Sequence, residues 1–401
     1  MINRSLALTG HRVTYLTLFL TVISDIMGMG LVFPVLPGLF DHQTSPFTLN
    51  IDQYHTFYYV SMLIVPFGWT MGGIFIGYLS DLFGRKQILS LSLFCSTISY
   101  ALCYLAIHIN NLPLFLISRL IIGLGGGCFC LIQTIMIDIA PKEQLSKYLG
   151  GINVASAIGF ISGGLVTSLT SILHQSTLSA PFMVGFWLSL VNLLCIISFI
   201  PKTKPNPNHA SANTKIAIPR CTWFYLAMFL QLEFAWGLFI QTSPLILAKY
   251  FDASELDIAI FFVCNGISAC FTLLFLQPLF EAKFSYEKHC IWLSIISAGL
   301  MLLLYFAPNY ISFTIVMMVM TLGEFILFTG VLYLLSQKAP EAQRGQVMGM
   351  VSSLIGLSFL ASDVLMIYLP NDAIKMGLIF AAIAYPWFWL EKNNTGHSIQ
   401  A

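Results

Sequence analysis

Four ionisable side chains lie inside long apolar runs of this chain: Asp25, Arg119, Glu233 and Glu324. Such groups are costly away from water, so a sequence that keeps them there points to a use for their charge, a proton or a polar ligand. A carboxylate that is neutral in one state and charged in another can carry a proton. Asp25 lies about halfway through its run and is the first candidate for that role, with Glu233 and Glu324 behind it. A permanently ionised Asp25 would instead bind a cationic substrate, and a purely structural acid is a third reading. Arg119 either acts on a ligand or bonds to neighbouring carbonyls. Gln133, Gln231, Gln241 and Trp236 share these runs and offer hydrogen bonds and an aromatic face to a small molecule. Asp363 lies nearer the end of its run and reads as solvated or locally bonded. No nucleotide loop, nucleophile constellation or metal-ligand cluster is present, so the chain reads as neither an enzyme nor a metal or cofactor protein.

The elements that must position these residues follow from composition. Of 401 residues, 57% are hydrophobic and 9% charged, with a mean hydropathy of +0.83. Soluble domains carry about a quarter charged residues, so this chain reads as an all-α integral membrane protein. Its apolar runs are long enough to cross ~30 Å of hydrocarbon as helices, and helices satisfy their own backbone polar groups. Twelve spans are expected at roughly 13–38, 54–80, 87–108, 112–138, 148–171, 182–200, 221–247, 257–280, 290–307, 311–337, 347–369 and 373–390. The first run lacks a small-residue cleavage site and contains Asp25 and Pro34, so it reads as a span rather than a signal peptide. With both termini cytoplasmic, fifteen of the 18 Lys and Arg residues fall on the inner side, Lys249 and Lys375 on the outer side, and Arg119 within a span. That asymmetry obeys the positive-inside rule and requires an even number of spans.

The longest polar stretch, Pro201 to Lys215, separates the sixth and seventh spans and reads as a cytoplasmic linker. It divides the chain into an N-terminal six-helix bundle (1–200), a linker (201–219) and a C-terminal six-helix bundle (220–401). Three echoes relate the two halves. Ala140-Pro141, Gln144 and Gly150 return as Ala339-Pro340, Gln343 and Gly349; Asp81 has its counterpart in Glu281; Gly30-Leu31 and Pro37 return as Gly237-Leu238 and Pro244. The nine cysteines lie in or at the edges of spans and read as small packing residues. Histidines sit at span ends or in loops, which argues against a buried histidine relay.

One short loop carries the most specific pattern: Gly77, three residues, Asp81, two residues, Gly84, then Arg85-Lys86. It resembles the signature loop of the major facilitator superfamily. The resemblance implies that Asp81 faces the start of span eleven near Gln343 to Gln346, that Arg85 pairs with Asp138 at the cytoplasmic end of span four, and that these contacts break when the inner side opens. The basic residues alone would also follow from the orientation rule, which leaves the glycines and Asp81 unexplained. Arg119 with Gly123 to Gly127 resembles the superfamily's arginine motif, with Ile122 where Gln is usual. Gly159, Gly163 and Gly164 resemble a motif of proton-coupled drug antiporters, with Phe160 in place of its proline; plain helix packing explains the same glycines. Asp25 through Leu39 resembles the first span of tetracycline/proton antiporters, although the acids of spans three and nine and the histidine of span eight found in those proteins have no counterpart here.

Together the resemblances imply two six-helix bundles related by a pseudo-twofold axis, with a central cavity holding Asp25, Arg119, Glu233 and Glu324. They imply a transporter working by alternating access, drawing on a proton gradient and carrying no cofactor. Its expected partners are a small-molecule substrate, protons and the bilayer, with no nucleic acid. A monomer in a bacterial inner membrane is expected. The implied activity is efflux of a drug or metabolite, the alternative is proton-coupled uptake of a nutrient or siderophore, and a non-transporting membrane sensor or scaffold is a third reading.

Overall fold

The computed structural model describes residues 2–126, 128–139, 145–174, 178–200, 220–283, 286–338, 344–368 and 374–384. The linker 201–219, Gly127, the 140–144 and 339–343 parts of the internal echo, and Phe284-Ser285 lie outside the described residues.

Every expected span contains a helix, and no strand occurs among the described residues. The helices are α1 (Ile2–Val32), α2 (Ile51–Phe83), α3 (Arg85–His108), α4 (Leu112–Leu124), α5 (Cys128–Ile139), α6 (Leu145–His174), α7 (Ala180–Phe199), α8 (Arg220–Phe251), α9 (Glu255–Phe271), α10 (Gln277–Lys283), α11 (Tyr286–Tyr305), α12 (Tyr310–Lys338), α13 (Arg344–Ile367) and α14 (Met376–Ala384). Among the described residues, seven helices are long and apolar enough to cross a membrane, and three shorter ones are apolar. Large apolar side chains such as Leu173, Trp187, Trp292 and Phe306 stand exposed. That is the pattern of a surface solvated by hydrocarbon rather than water.

Three expected spans depart from a plain helix. The first ends at Val32, because Pro34 disfavours helix at the residue before it, and resumes for one turn at Leu36–Leu39. The eighth contains a π-helical segment at Thr272–Leu276 between α9 and α10. The fourth, expected as one helix, is two. The chain leaves α4 at Gly125 and re-enters as α5 at Cys128. Successive glycines cost helix about 1 kcal/mol each relative to alanine, and here they also fit tight spaces. A Cβ on Gly125 would stand 2.8 Å from that of Cys95, and one on Gly126 would stand 3.2 Å from the Trp69 ring. The freed Gly125 carbonyl accepts a hydrogen bond from the Ser92 hydroxyl, which also lies 2.9 Å from the Cys128 sulfur. Ser92 thus holds both sides of the interruption.

The chain forms two compact units: residues 1–215 with 255–266, and residues 216–254 with 267–401. In the first, α1 packs on α6 and α7, α3 on α7 and α4, and α2 on α4. Leu18, Val22, Leu89, Ile132, Met136, Ile152 and Ile196 form a buried cluster where α1, α3, α5, α6 and α7 meet. In the second, α8 packs on α12, α13 and α14, and α11 packs on α12 and α14. Several hydroxyls bond back along their own helix. Thr17 donates to Val13 O at 2.8 Å, Thr21 to Thr17 O at 2.7 Å, Ser162 to Ile158 O at 2.8 Å, Ser168 to Gly164 O at 2.8 Å, and Thr321 to Met317 O at 2.9 Å.

Candidate functional site

In the first unit, Arg119 enters a site through α4. Asn111 accepts a hydrogen bond from Leu114 N at 2.9 Å and fixes the start of this helix. Arg119 is buried one turn before the α4–α5 interruption, and its Nε donates to the Ser61 carbonyl on α2 at 3.4 Å. α2 and α4 can meet closely because glycines face each other. A Cβ on Gly68 would stand 2.8 Å from the Gly123 carbonyl carbon, and one on Gly72 would collide with the Leu124 carbonyl. Asp25 is half-buried on α1, and its carboxylate interacts electrostatically with Tyr100 on α3 and with Cys128 at the first residue of α5. Arg119 interacts with the same Tyr100. Asp25 and Arg119, far apart in sequence, are therefore joined to one neighbourhood through α3. Gln133 is half-buried further along α5.

The glycines of α6 form a seam. A Cβ on Gly159 would stand 2.9 Å from the Ile23 carbonyl oxygen, and one on Gly163 would stand 2.5 Å from the Met27 carbonyl oxygen and 2.6 Å from the Gly30 Cα. Gly164 turns the other way, where a Cβ would stand 2.7 Å from the Ala259 carbonyl oxygen on α9. This stripe brings α6 against the helix bearing Asp25 and, on its other face, against α9. Thr167 reinforces the first contact, donating towards Leu31 O at 3.3 Å.

The loop between α2 and α3 is a single glycine. Gly84 has φ 95° and ψ 141°, receives no Cβ penalty there, and joins α2 directly to α3 through bonds from its N–H to Ser80 O at 3.0 Å and from Ile88 N–H to its own carbonyl at 3.3 Å. Arg85 then donates through Nη1 to the Thr134 carbonyl at 2.7 Å, one turn before Asp138 on α5. Lys86 donates to the Ile197 carbonyl at 2.7 Å. Both cations thus reach main-chain carbonyls near the ends of α5 and α7. The side chains of Gly77's helix neighbour Tyr78, of Asp81 and of Asp138, like that of Glu281, lie outside the described residues, so the expected Asp81 and Arg85–Asp138 contacts fall there too.

In the second unit, Glu233 on α8 and Glu324 on α12 are both buried, and the two carboxylates interact electrostatically. Mutual repulsion makes a proton or a cationic group the natural companion of such a pair. Trp236, one turn after Glu233, packs edge-on to Phe325 at 6.3 Å between ring centroids and tilted against Phe239 at 5.5 Å. Gln231 is half-buried. Gln241 is buried, and its amide donates to Phe359 O at 3.1 Å and Ser362 Oγ at 2.8 Å on α13, so it ties two helices together. Asp363, expected to be solvated or locally bonded, is not solvated: it is 0% exposed on α13. Its place near the end of an apolar run gave no sign that neighbouring helices enclose it. Among the described residues, no three of His, Cys, Asp and Glu converge on a metal-sized site.

Sequence reasoning overlooked Tyr100, Ser61 and Ser92. A tyrosine or serine in an apolar run carries no signal of its partner. Gly68-xxx-Gly72 was readable as a small-residue spacing.

The Major Facilitator Superfamily model matches residues 18–362. The class B tetracycline resistance protein of Escherichia coli is 24% identical over 245 residues, which is 60% of this chain and 54% of that protein, so the chain matches about half the length of that relative. The quinolone resistance protein NorA of Staphylococcus aureus (strain COL) is 26% identical over 316 residues, 76% of this chain and 77% of that protein. Among solved structures, the inward-open xylose transporter XylE from E. coli aligns with a TM-score of 0.72 at 17% identity, covering 94% of this chain and 96% of that one.

Proposed function

Because the chain belongs to the Major Facilitator Superfamily and is a multi-pass membrane transporter, we propose that it expels a small organic molecule in exchange for protons across a bacterial inner membrane. The observation that carries this reading is the burial of Arg119, Glu233 and Glu324, with Asp25 half-buried, in a chain only 9% charged. Charges in such surroundings are retained for ion or substrate pathways. The drug-resistance names of the tetracycline and quinolone relatives favour export of a drug-like molecule or metabolite.

Asp25 is the proposed proton carrier. It takes a proton from one side, loses its charge, and releases the proton after the binding region has turned to the other side. Substrate travels the opposite way, held by polar and aromatic side chains. The chain supplies binding, a titrating carboxylate and conformational change, and no covalent step is required. Each charge crossing 100 mV releases ~2.3 kcal/mol, and each pH unit adds ~1.4 kcal/mol. With 100 mV and one pH unit together, one proton per cycle then sustains a substrate gradient of roughly several hundredfold.

The test is transport by the full chain in proteoliposomes under an imposed pH gradient, with tetracycline, norfloxacin and xylose as probes and an entrapped pH dye reading protons. The expected result is substrate moving against the proton flow, with Asp25→Asn abolishing the coupled proton movement. Substrate and protons moving together would establish symport. Intact coupling in Asp25→Asn would remove Asp25 from its role.

A further inference from the structure

We infer that the π-helical segment Thr272–Leu276 is a hinge inside the eighth span, which lets the start of that span stay docked on the first unit while its remainder moves with the second. The inference rests on the reading of the chain as an alternating-access transporter and adds a place where one span bends to allow the motion. Its first support is the division of the span itself. Residues 255–266 belong to the first unit, and the span from Ile267 onward belongs to the second. The first part is closely held. A Cβ on Gly164 of α6 would stand 2.7 Å from the Ala259 carbonyl oxygen and 3.2 Å from Val263 N. A Cβ on Gly266 of α9 would in turn stand 2.8 Å from Ile161 N and 3.1 Å from the Ala157 carbonyl oxygen. Each helix thus presents a glycine to the backbone of the other, the arrangement that lets helices in a bilayer approach most closely. Phe262 adds a ring contact to Phe33 at 5.4 Å between centroids. At the start of α9, the Glu255 carboxylate lies against Gly38, where a Cβ would stand 3.2 Å from Oε1.

The second support is the backbone that follows. Beyond Gly266 the span changes partner, and the π-helical segment packs on α12 in the second unit. At its end Gln277 N–H bonds to the Thr272 carbonyl, five residues back rather than four. Such wide turns are rare and occur often at functional sites, and sharp bends in helices concentrate at them. Thr272 is buried, its hydroxyl donating to Ser268 O at 2.9 Å, whereas Leu274 and Phe275 are exposed. A bend here therefore swings exposed side chains rather than packed ones. A rigid rod fastened to two units that rotate against each other would have to give up one attachment. A π-helical joint between the attachments removes that conflict.

The experiment places spin labels, introduced through unnatural amino acids, in the full chain in nanodiscs. The labelled positions are Leu105 on α3, Ile260 on α9, Leu279 on α10 and Ile315 on α12, all exposed. Pulsed electron resonance reads the distances from Leu105 to the other three at about pH 5 and about pH 9, with and without tetracycline, norfloxacin or xylose. The distances to Leu279 and Ile315 should shift by about 5 Å or more, while the distance to Ile260 stays fixed. A shift at Ile260 equal to that at Leu279 overturns the hinge, because the span then travels with the second unit as one rod. A shift at Ile315 alone overturns it as well, because the span then stays whole with the first unit; in both cases alternating access stands. If no distance shifts, the alternating-access reading falls and the hinge with it. Deleting Phe275, which removes the extra residue of the wide turn, should abolish the Leu279 shift. A deletion variant that keeps the parent's shift overturns the hinge, and the parent distances decide alone where that variant does not fold.

Discussion

At the scale of single residues, the geometry separates positions where chemistry is at stake from positions where backbone conformation is. Gly84 belongs to the second kind. Its φ of 95° is a conformation that side chains with a Cβ rarely adopt, and it is the whole of the connection between α2 and α3. Gly84→Ala should cost about 1–3 kcal/mol of strain, read as a lower thermal midpoint in detergent with substrate affinity nearly unchanged. Arg85 depends on that turn, because its bond to Thr134 O requires α3 to begin where it does. Gly84 and the basic pair were legible in the sequence, since a glycine between two apolar runs followed by Arg-Lys is a local pattern. Tyr100 was not. Its enclosure depends on Gly28 and Gly185, two missing side chains on helices remote in sequence. The solvated reading of Asp363 fell for a related reason: position along a run predicts depth, but burial depends on which neighbour covers a face.

At the scale of helices, the same residue type has opposite consequences depending on its surroundings. A Cβ on Gly163 would stand 2.5 Å from a backbone oxygen of α1, whereas a Cβ on Gly150, on the same helix, has nothing within 4 Å. Gly163→Ala should force α1 and α6 apart and cost about 1–3 kcal/mol, while Gly150→Ala should stabilise by up to about 1 kcal/mol through helix propensity. Thermal unfolding of the two variants beside the parent checks both signs. Most spans were readable within a few residues, because apolar length is set by the bilayer. Their interruptions were harder to read. The triple glycine of span four was visible and was read as part of one motif-bearing helix, although three glycines in succession argue against an unbroken one. The π-helical segment at Thr272–Leu276 has no comparable mark in its sequence.

At the scale of the whole molecule, membership of the superfamily fixes the fold, and energetics constrain how the proposed transport is driven. For exchange of one proton against an uncharged molecule, ~100 mV and ~1.7 pH units each supply ~2.3 kcal/mol. Imposed separately on proteoliposomes, these two forces should produce equal substrate gradients. A response to the pH gradient with none to voltage would instead mark the departing molecule as a singly charged cation. The helical membrane fold and the family were legible because they are written in long-range composition and one local signature. Substrate identity is spread over side chains on many helices, and no local pattern records it. The hydroxyls that bond back along their own helices bear on how such a molecule moves. Thr17, Ser162 and Ser168 keep their hydroxyl bonds within one helix, so displacing that helix against a neighbour breaks none of these bonds. Sliding is resisted instead where polar groups reach across, as Gln241 does from α8 to Ser362 on α13.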